Sequence, residues 1–167
     1  MAARVVVEHL LKLGHRKVAV AAGGYAGEQG TYAAVSAEAC RHLLEVTGAQ
    51  YVPHYTFPDG NRDLLLRRIK AEGVTAYWDL NDAAAVISIR RCQEQGLRVP
   101  EDVSIAGRFD TPWCELASPA LTSLSIDPEA TARTLREATE APPDAGAIRL
   151  VPPRLVARAS TGPAPHR

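Results

Sequence analysis

Apolar residues recur along this chain in two ways, at helical spacing and as short unbroken runs, and the two kinds of segment alternate. Val6, Val7, Leu10, Leu11 and Leu13 form the first helical set, Gly14 is its stop, and Val18 to Ala22 reads as a buried strand. Past the glycine-rich stretch GGYAGEQG, Ala33 to Val46 is rich in helix formers and ends before Gly48. Tyr51 to Tyr55 can be extended. PDGN at Pro58 to Asn61 is a turn whose Asn61 can cap a helix carrying Leu64, Leu65, Leu66 and Ile69, with Gly73 as its stop. Thr75 to Leu80 is the next strand, and Asn81 or Asp82 caps a helix that buries Ala85, Val86, Ile89 and Cys92 and ends at Gly96.

Val103 to Ala106 is a further buried strand, closed by Gly107, and Leu121 to Ser125 leads to Asp127-Pro128, where proline suits a helix start. That helix runs to about Glu140, and Ala141-Pro142-Pro143 breaks it. Ile148 to Val151 and Arg154 to Ala159 can be two extended pieces, and TGPAPHR reads as a frayed end. Helices alternating with short strands predict an α/β fold, a parallel sheet flanked by helices with right-handed crossovers.

Composition narrows the function classes. At 167 residues with 46% hydrophobic content the chain can bury a core. Nineteen basic and nineteen acidic residues cancel, so there is no broad positive field to hold a polyphosphate, and direct DNA binding by this chain alone is disfavoured. Cys40, Cys92 and Cys114 are odd in number and lack metal-ligand spacing, which suits packed thiols in a reducing cytoplasm. With neither a leader-like opening nor an apolar run of ~20 residues, secretion and membrane insertion are also disfavoured.

Candidate chemistry is sparse. Asn81 and Asp82 stand at the carboxyl end of a predicted strand, where open α/β sheets place their ligands. An amide there can donate to and accept from a hydroxyl-bearing ligand; it can equally cap the next helix, with Asp82 favouring the helix dipole. Gly23, Gly24, Gly27 and Gly30 fit neither G-x-G-x-x-G nor the P-loop spacing, so a flexible loop or crossover is favoured over a phosphate cradle. Trp78 falls within a strand run and reads as core, whereas Trp113 suits a cleft rim. His9, His15, His42, His54 and His166 show no H-x-x-x-H spacing or acidic pairing, and no G-x-S-x-G occurs. Neither a cofactor, a metal nor a catalytic constellation is implied.

Two segments carry a resemblance. GLRVPEDVSIAGRFDTPWCELASPALTSL from Gly96 to Leu124, together with TAYWDLNDAAA from Thr75 to Ala85, resembles the effector-sensing core of the lactose/galactose repressor (LacI/GalR) family of transcription regulators. Helix, VPEDVS turn, strand, glycine, acidic loop and SP.LT segment come in that family's order, and the likeness runs from about Arg4 to Thr161. It implies a periplasmic-binding-protein-like fold of type I in which two lobes joined by three crossovers hold the effector between them. Residues 1–161 would be a truncated sensor, with a partial first lobe at 1–23 and 124–145, a second lobe at 24–123 and 146–161, and a disordered tail at 162–167. The DNA-binding headpiece and the first part of the sensor would lie outside this chain.

The resemblance also implies site residues. It places an effector-contacting asparagine at Asn81. The family pattern of glycine, aromatic and acidic residues falls on Gly107-Arg108-Phe109-Asp110, so Phe109 stands at the first acidic position. Either Asp110 substitutes for the usual carboxylate or Phe109 makes an apolar wall, and a plain surface turn is the competing reading. The family's arginine falls at Ser36, which cannot make bidentate contacts to an anion. Asn81, Asp82, Asp110, Phe109, Ser36 and Trp113 are therefore the candidate effector contacts. The implied function is non-enzymatic and cytoplasmic: a homodimer binding a sugar-like or nucleoside effector, reaching DNA only through a headpiece. A solute-binding protein of a sugar transporter, a non-functional regulator fragment and an α/β enzyme using the glycine loop are the alternatives.

Overall fold

The computed structural model describes residues 1–21, 32–54, 64–140 and 149–165. Its elements follow the order α1 (Ala2–Lys12), β1 (Lys17–Ala21), α2 (Tyr32–Val46), β2 (Gln50–His54), α3 (Leu64–Glu72), β3 (Ala76–Trp78), α4 (Asp82–Glu94), β4 (Ser104–Arg108), α5 (Trp113–Leu116), β5 (Thr122–Ser125), α6 (Pro128–Glu140) and β6 (Arg154–Val156). The glycine-rich GGYAGEQG stretch, the PDGN turn and the Ala141-Pro142-Pro143 break lie outside the described residues.

One six-stranded sheet of order β2-β1-β3-β4-β5-β6 organises the molecule, parallel except for β6, which runs antiparallel to β5. Strands buried on both faces favour apolar residues; β1 and β3 largely supply them, while β4 and β5 also bury Ser104, Arg108, Thr122, Ser123 and Ser125. Val18, Val20, Ala76, Trp78, Ala106 and Leu124 meet α1 and α2 through Val6, Leu10, Cys40 and Leu44. Ala19, Ala21, Tyr77, Ile105 and Leu121 point the other way, toward Leu65 and Ile69 of α3 and Ala85, Ile89 and Cys92 of α4. Trp78 is core, as its place in a strand run predicts, and its indole Nε1 donates to Gly107 O at 3.1 Å.

The helix stops are where the glycines are. Gly14, Gly48, Gly73 and Gly96 follow α1 to α4 with φ between 71 and 90, a conformation that side-chain-bearing residues adopt at a cost. At the other end, Asp127 Oδ1 accepts from the backbone of Glu129 and Ala130, both at 3.0 Å, and so caps α6.

Two expectations are corrected. Residues 1–23 do not form part of a separate lobe: β1 is hydrogen-bonded between β2 and β3 in this sheet, and α1 packs on its face. Nor do residues 162–165 trail away. Gly162 N donates to Ser104 Oγ at 3.0 Å and Ala164 N to Leu13 O at 2.8 Å. His15, fully buried, fastens the same edge: its Nδ1 lies 3.0 Å from Thr75 Oγ1, and its Nε2 lies 3.0 Å from Ser104 Oγ and 3.1 Å from Gly162 O. Burial pushes its pKa down to about 4.

Ser160 shows how the terminal segment is held. Its hydroxyl donates to Ile105 O at 2.6 Å and accepts from Thr122 N at 2.8 Å, while Ile105 N donates to Ser160 O. Ser160→Ala leaves a buried N–H and a buried carbonyl without that partner. Urea unfolding should show a loss of about 1–3 kcal/mol, and an unchanged midpoint would mean that this segment is not docked in solution.

Candidate functional site

Strand order locates the site before any side chain does. From β1 the chain crosses to β2 on one side, and from β3 to β4 on the other, with α2 and α4 on opposite faces. The sheet therefore switches direction between β1 and β3, and ligands of open α/β sheets bind outside the carboxyl ends of the strands at such a point. The segment after β1 lies outside the described residues; those after β3 and β4 carry most of the candidates.

After β3 the chain reads Asp79-Leu80-Asn81-Asp82. Asn81 is exposed and extended (φ −151, ψ 129), and its Oδ1 accepts from Ala83 N at 2.9 Å and Ala84 N at 3.4 Å. It thus caps α4, which directs its amide nitrogen, a donor, to the remaining side of the group. Asp82 is buried instead. Its carboxylate accepts from Ser123 Oγ at 2.6 Å, Thr111 N at 2.8 Å and Thr111 Oγ1 at 3.0 Å, tying α4 to β5 and to the loop after β4.

That loop departs from ordinary backbone. Phe109 (φ 97) and Asp110 (φ 54) both lie in the left-handed region, unusual for an aromatic side chain. Phe109 is 47% exposed, with the Arg108 guanidinium 5.1 Å from its ring centroid. Asp110 pairs with Arg158, Nη1 to Oδ1 at 2.8 Å, while its backbone N–H donates to Ser123 Oγ. Arg158 Nη1 also donates to Leu121 O at 2.9 Å, which fixes the cation in place. Trp113 opens α5 with 59% of its surface exposed. Ser36 is buried in α2, against the sheet face opposite to α4.

The structure therefore brings Asn81, Asp82, Phe109 and Asp110 to one edge, with Trp113 beginning the next element and Ser36 on another layer. Sequence reasoning passed over Asp79, Thr111, Ser123 and Arg158. An acid directly after the apolar run Ala76–Trp78 was a usable signal for Asp79. The others act through contacts between distant segments, which no local pattern reports.

Asp79 is the unusual group. Tyr77 Oη donates to its Oδ2 at 2.7 Å and Asn81 N to its Oδ1 at 3.2 Å, yet burial outweighs both and pushes its pKa up to about 6. Cys40 and Cys92 are pushed to about 12 and Cys114 to about 11, again by burial, so all three are inert thiols at neutral pH. Among the described residues, no group of three or more His, Cys, Asp or Glu could hold a metal ion, and no helix is long and apolar enough to cross a membrane.

The family model for the periplasmic binding protein-like domain matches residues 7–161. The chain is 31% identical over 142 residues to the transcriptional regulator CelR of Thermobifida fusca, covering 79% of this chain and 40% of CelR. It is 28% identical to the regulator DegA of Bacillus subtilis, over 93% of this chain and 48% of DegA. Among solved structures, a LacI family regulator from Bifidobacterium animalis subsp. lactis superposes with TM-score 0.82 at 27% identity, covering 98% of this chain and 61% of the other. A CelR–cellobiose complex gives TM-score 0.73 at 27% identity, over 95% of this chain and 51% of the other. This chain belongs to the periplasmic binding protein-like domain family, in the form found in LacI-type transcription regulators. It spans about half the length of the curated relatives it matches.

Two measurements test this geometry. A Cβ at Gly107 would overlap Asp82 Oδ1 and stand 2.8 Å from Leu121 Cδ2. Gly107→Ala should therefore cost about 1–3 kcal/mol in urea unfolding, and a neutral result would mean that Asp82 is not seated there. The second uses pH. Asp79 holds its proton more tightly folded than unfolded, so its contribution is full below the unfolded pKa of 3.8 and is lost as pH rises through about 6. His15 acts with the opposite sign, stability being lost as pH falls from 6.5 toward about 4. The Asp79→Asn variant cancels only the first. Its stability relative to wild type should rise between about pH 4 and pH 7, and a flat difference would contradict the burial of a titrating Asp79.

Proposed function

We propose that this chain is the sheet-bearing lobe of the effector sensor of a LacI/GalR-type transcriptional repressor. It is a cytoplasmic, non-enzymatic module that binds a sugar or nucleoside at the carboxyl edge of its sheet. The observation that carries this reading is that edge, at a strand-order switch point, presenting an exposed asparagine and a strained aromatic loop. The relatives are transcription regulators by name, and one structural neighbour is a CelR–cellobiose complex.

The helix α6 supports a first lobe of which this chain carries only a part. None of its residues is buried, and Leu135 is 65% exposed, so its apolar side has nothing of the described chain to pack against. We assign α6 to a partial first lobe, entered from β5 through Ser125 to Asp127. Effector would then bind one arrangement of the two lobes better than the other, and that difference in affinity would bias a DNA-binding headpiece encoded outside this chain.

A homodimer belongs to the same proposal. Ile87 on α4 and Trp113 and Leu116 on α5 are 57%, 59% and 76% exposed, an apolar surface on two packed helices. One structural neighbour is the dimeric Lac repressor, at 26% identity and TM-score 0.74. Light scattering should show a dimer that Leu116→Asp converts to monomer; a monomeric wild type at high concentration would refute it.

The sensing claim is tested by thermal shift with cellobiose, galactose, adenosine and guanosine. A ligand at a hundred times its Kd adds about 2.7 kcal/mol to stability. A saturable rise in Tm with one of them is the expected result, and no rise with any would overturn the proposal.

A further inference from the structure

We infer that Phe109 is a stacking platform for the effector, and that the effector it accepts carries a flat aromatic ring, as a nucleoside does. This rests on the sensor reading above and narrows its ligand class.

Three observations converge. The first is conformational: Phe109 and Asp110 are consecutive non-glycine residues with positive φ, and this backbone turns a bulky ring outward at an edge where β3 to β5 are otherwise buried. Strain of this kind persists where surrounding structure enforces it, and Phe109 N to Leu124 O at 2.8 Å together with the Asp110–Arg158 pair does so.

The second is electrostatic. Aromatic faces are electron-rich, and the C–H groups of a sugar stack on them for that reason. Here the Arg108 cation lies 5.1 Å from the ring centroid and draws density toward one face. The opposite face is left poorer in electrons. It is then a weaker partner for sugar C–H groups and a better one for an electron-rich heteroaromatic ring.

The third concerns polar capacity. A sugar needs acceptors for its hydroxyls, and among the described residues the carboxylates at this edge are engaged, Asp79 by Tyr77 and the backbone of Asn81, Asp82 by Ser123 and Thr111, and Asp110 by Arg158. Asn81 Oδ1 is engaged by two backbone N–H groups, so its amide N–H2 is the donor offered to a ligand. A donor at the same sheet edge as an aromatic platform, after the adjacent strand, matches a ring carbonyl or ring nitrogen.

Isothermal titration calorimetry on the full chain tests this with adenosine, guanosine, cytidine, uridine, cellobiose and galactose, against wild type, Phe109→Gly and Phe109→Trp. At least one nucleoside should bind wild type about tenfold tighter than either sugar. Phe109→Trp should keep that affinity, and Phe109→Gly should lose it by about tenfold, the worth of one stacked ring. Glycine adopts the φ of 97 without strain, so the Tm of Phe109→Gly should hold or rise. A ring with a merely structural role gives the reverse, a lower Tm with unchanged nucleoside affinity, and that result overturns the inference. Tighter binding of a sugar than of every nucleoside overturns it while leaving the sensor reading standing. Binding of none of the six overturns both.

Discussion

The carboxylate of Asp82 is the constraint on which the candidate site depends. It sits at the first position of α4, yet its three hydrogen bonds run to Ser123 of β5 and to both the backbone and the hydroxyl of Thr111. Bonds to a charged acceptor are worth roughly twice those between neutral groups, and more where water is excluded. One buried group therefore fixes the relative positions of the helix after β3 and the loop after β4. Gly107 makes this possible, since any side chain there would occupy the space of the carboxylate. Residues that reach solvent at this edge, Asn81 and Phe109, are aimed by a residue that does not.

The same edge stores strain. Two successive left-handed residues cost of order 1–3 kcal/mol each, and the loop offsets that with a backbone bond to Leu124 and an ion pair in which both partners are largely buried. The Asp110–Arg158 pair couples the loop after β4 to the strand-like segment that follows β6, and Arg158 is itself anchored by Leu121 O. Asp110 thereby supports the backbone of its neighbour Phe109. At the other end of the sheet, His15 and Ser160 bind the terminal segment to β4 and β5, so hydrogen bonds between distant segments tie both edges.

Much of the fold was legible locally. Apolar spacing with a terminal glycine marked α1 to α4 within a residue or two, because helix boundaries are set by groups close in sequence. The four-residue α5 escaped notice, being shorter than any periodicity can reveal. Lobe membership was not local either. Whether β1 belonged to one lobe or another was decided by its pairing with β2 and β3, and the likeness to a two-lobed family invited the wrong division. The GPAP segment looked like a frayed end by composition, while its backbone found partners in Ser104 and Leu13. In the site, Asn81 was legible as the cap of α4. The inward turn of Asp82 and the neutralisation of Asp110 were not, since each depends on residues far along the chain.

On the proposed sensor reading, the ligand edge stays still while another lobe closes on it, and α6, none of whose residues is buried, is the candidate contact with that lobe. Backbone hydrogen exchange, followed with the chain saturated by adenosine or by cellobiose, reads this most directly. Slowed exchange should be concentrated at residues 80–82 and 109–113, with the opposite edge around Ser104 and Gly162 unchanged. Protection confined to that opposite edge, or none with either ligand, would contradict that reading.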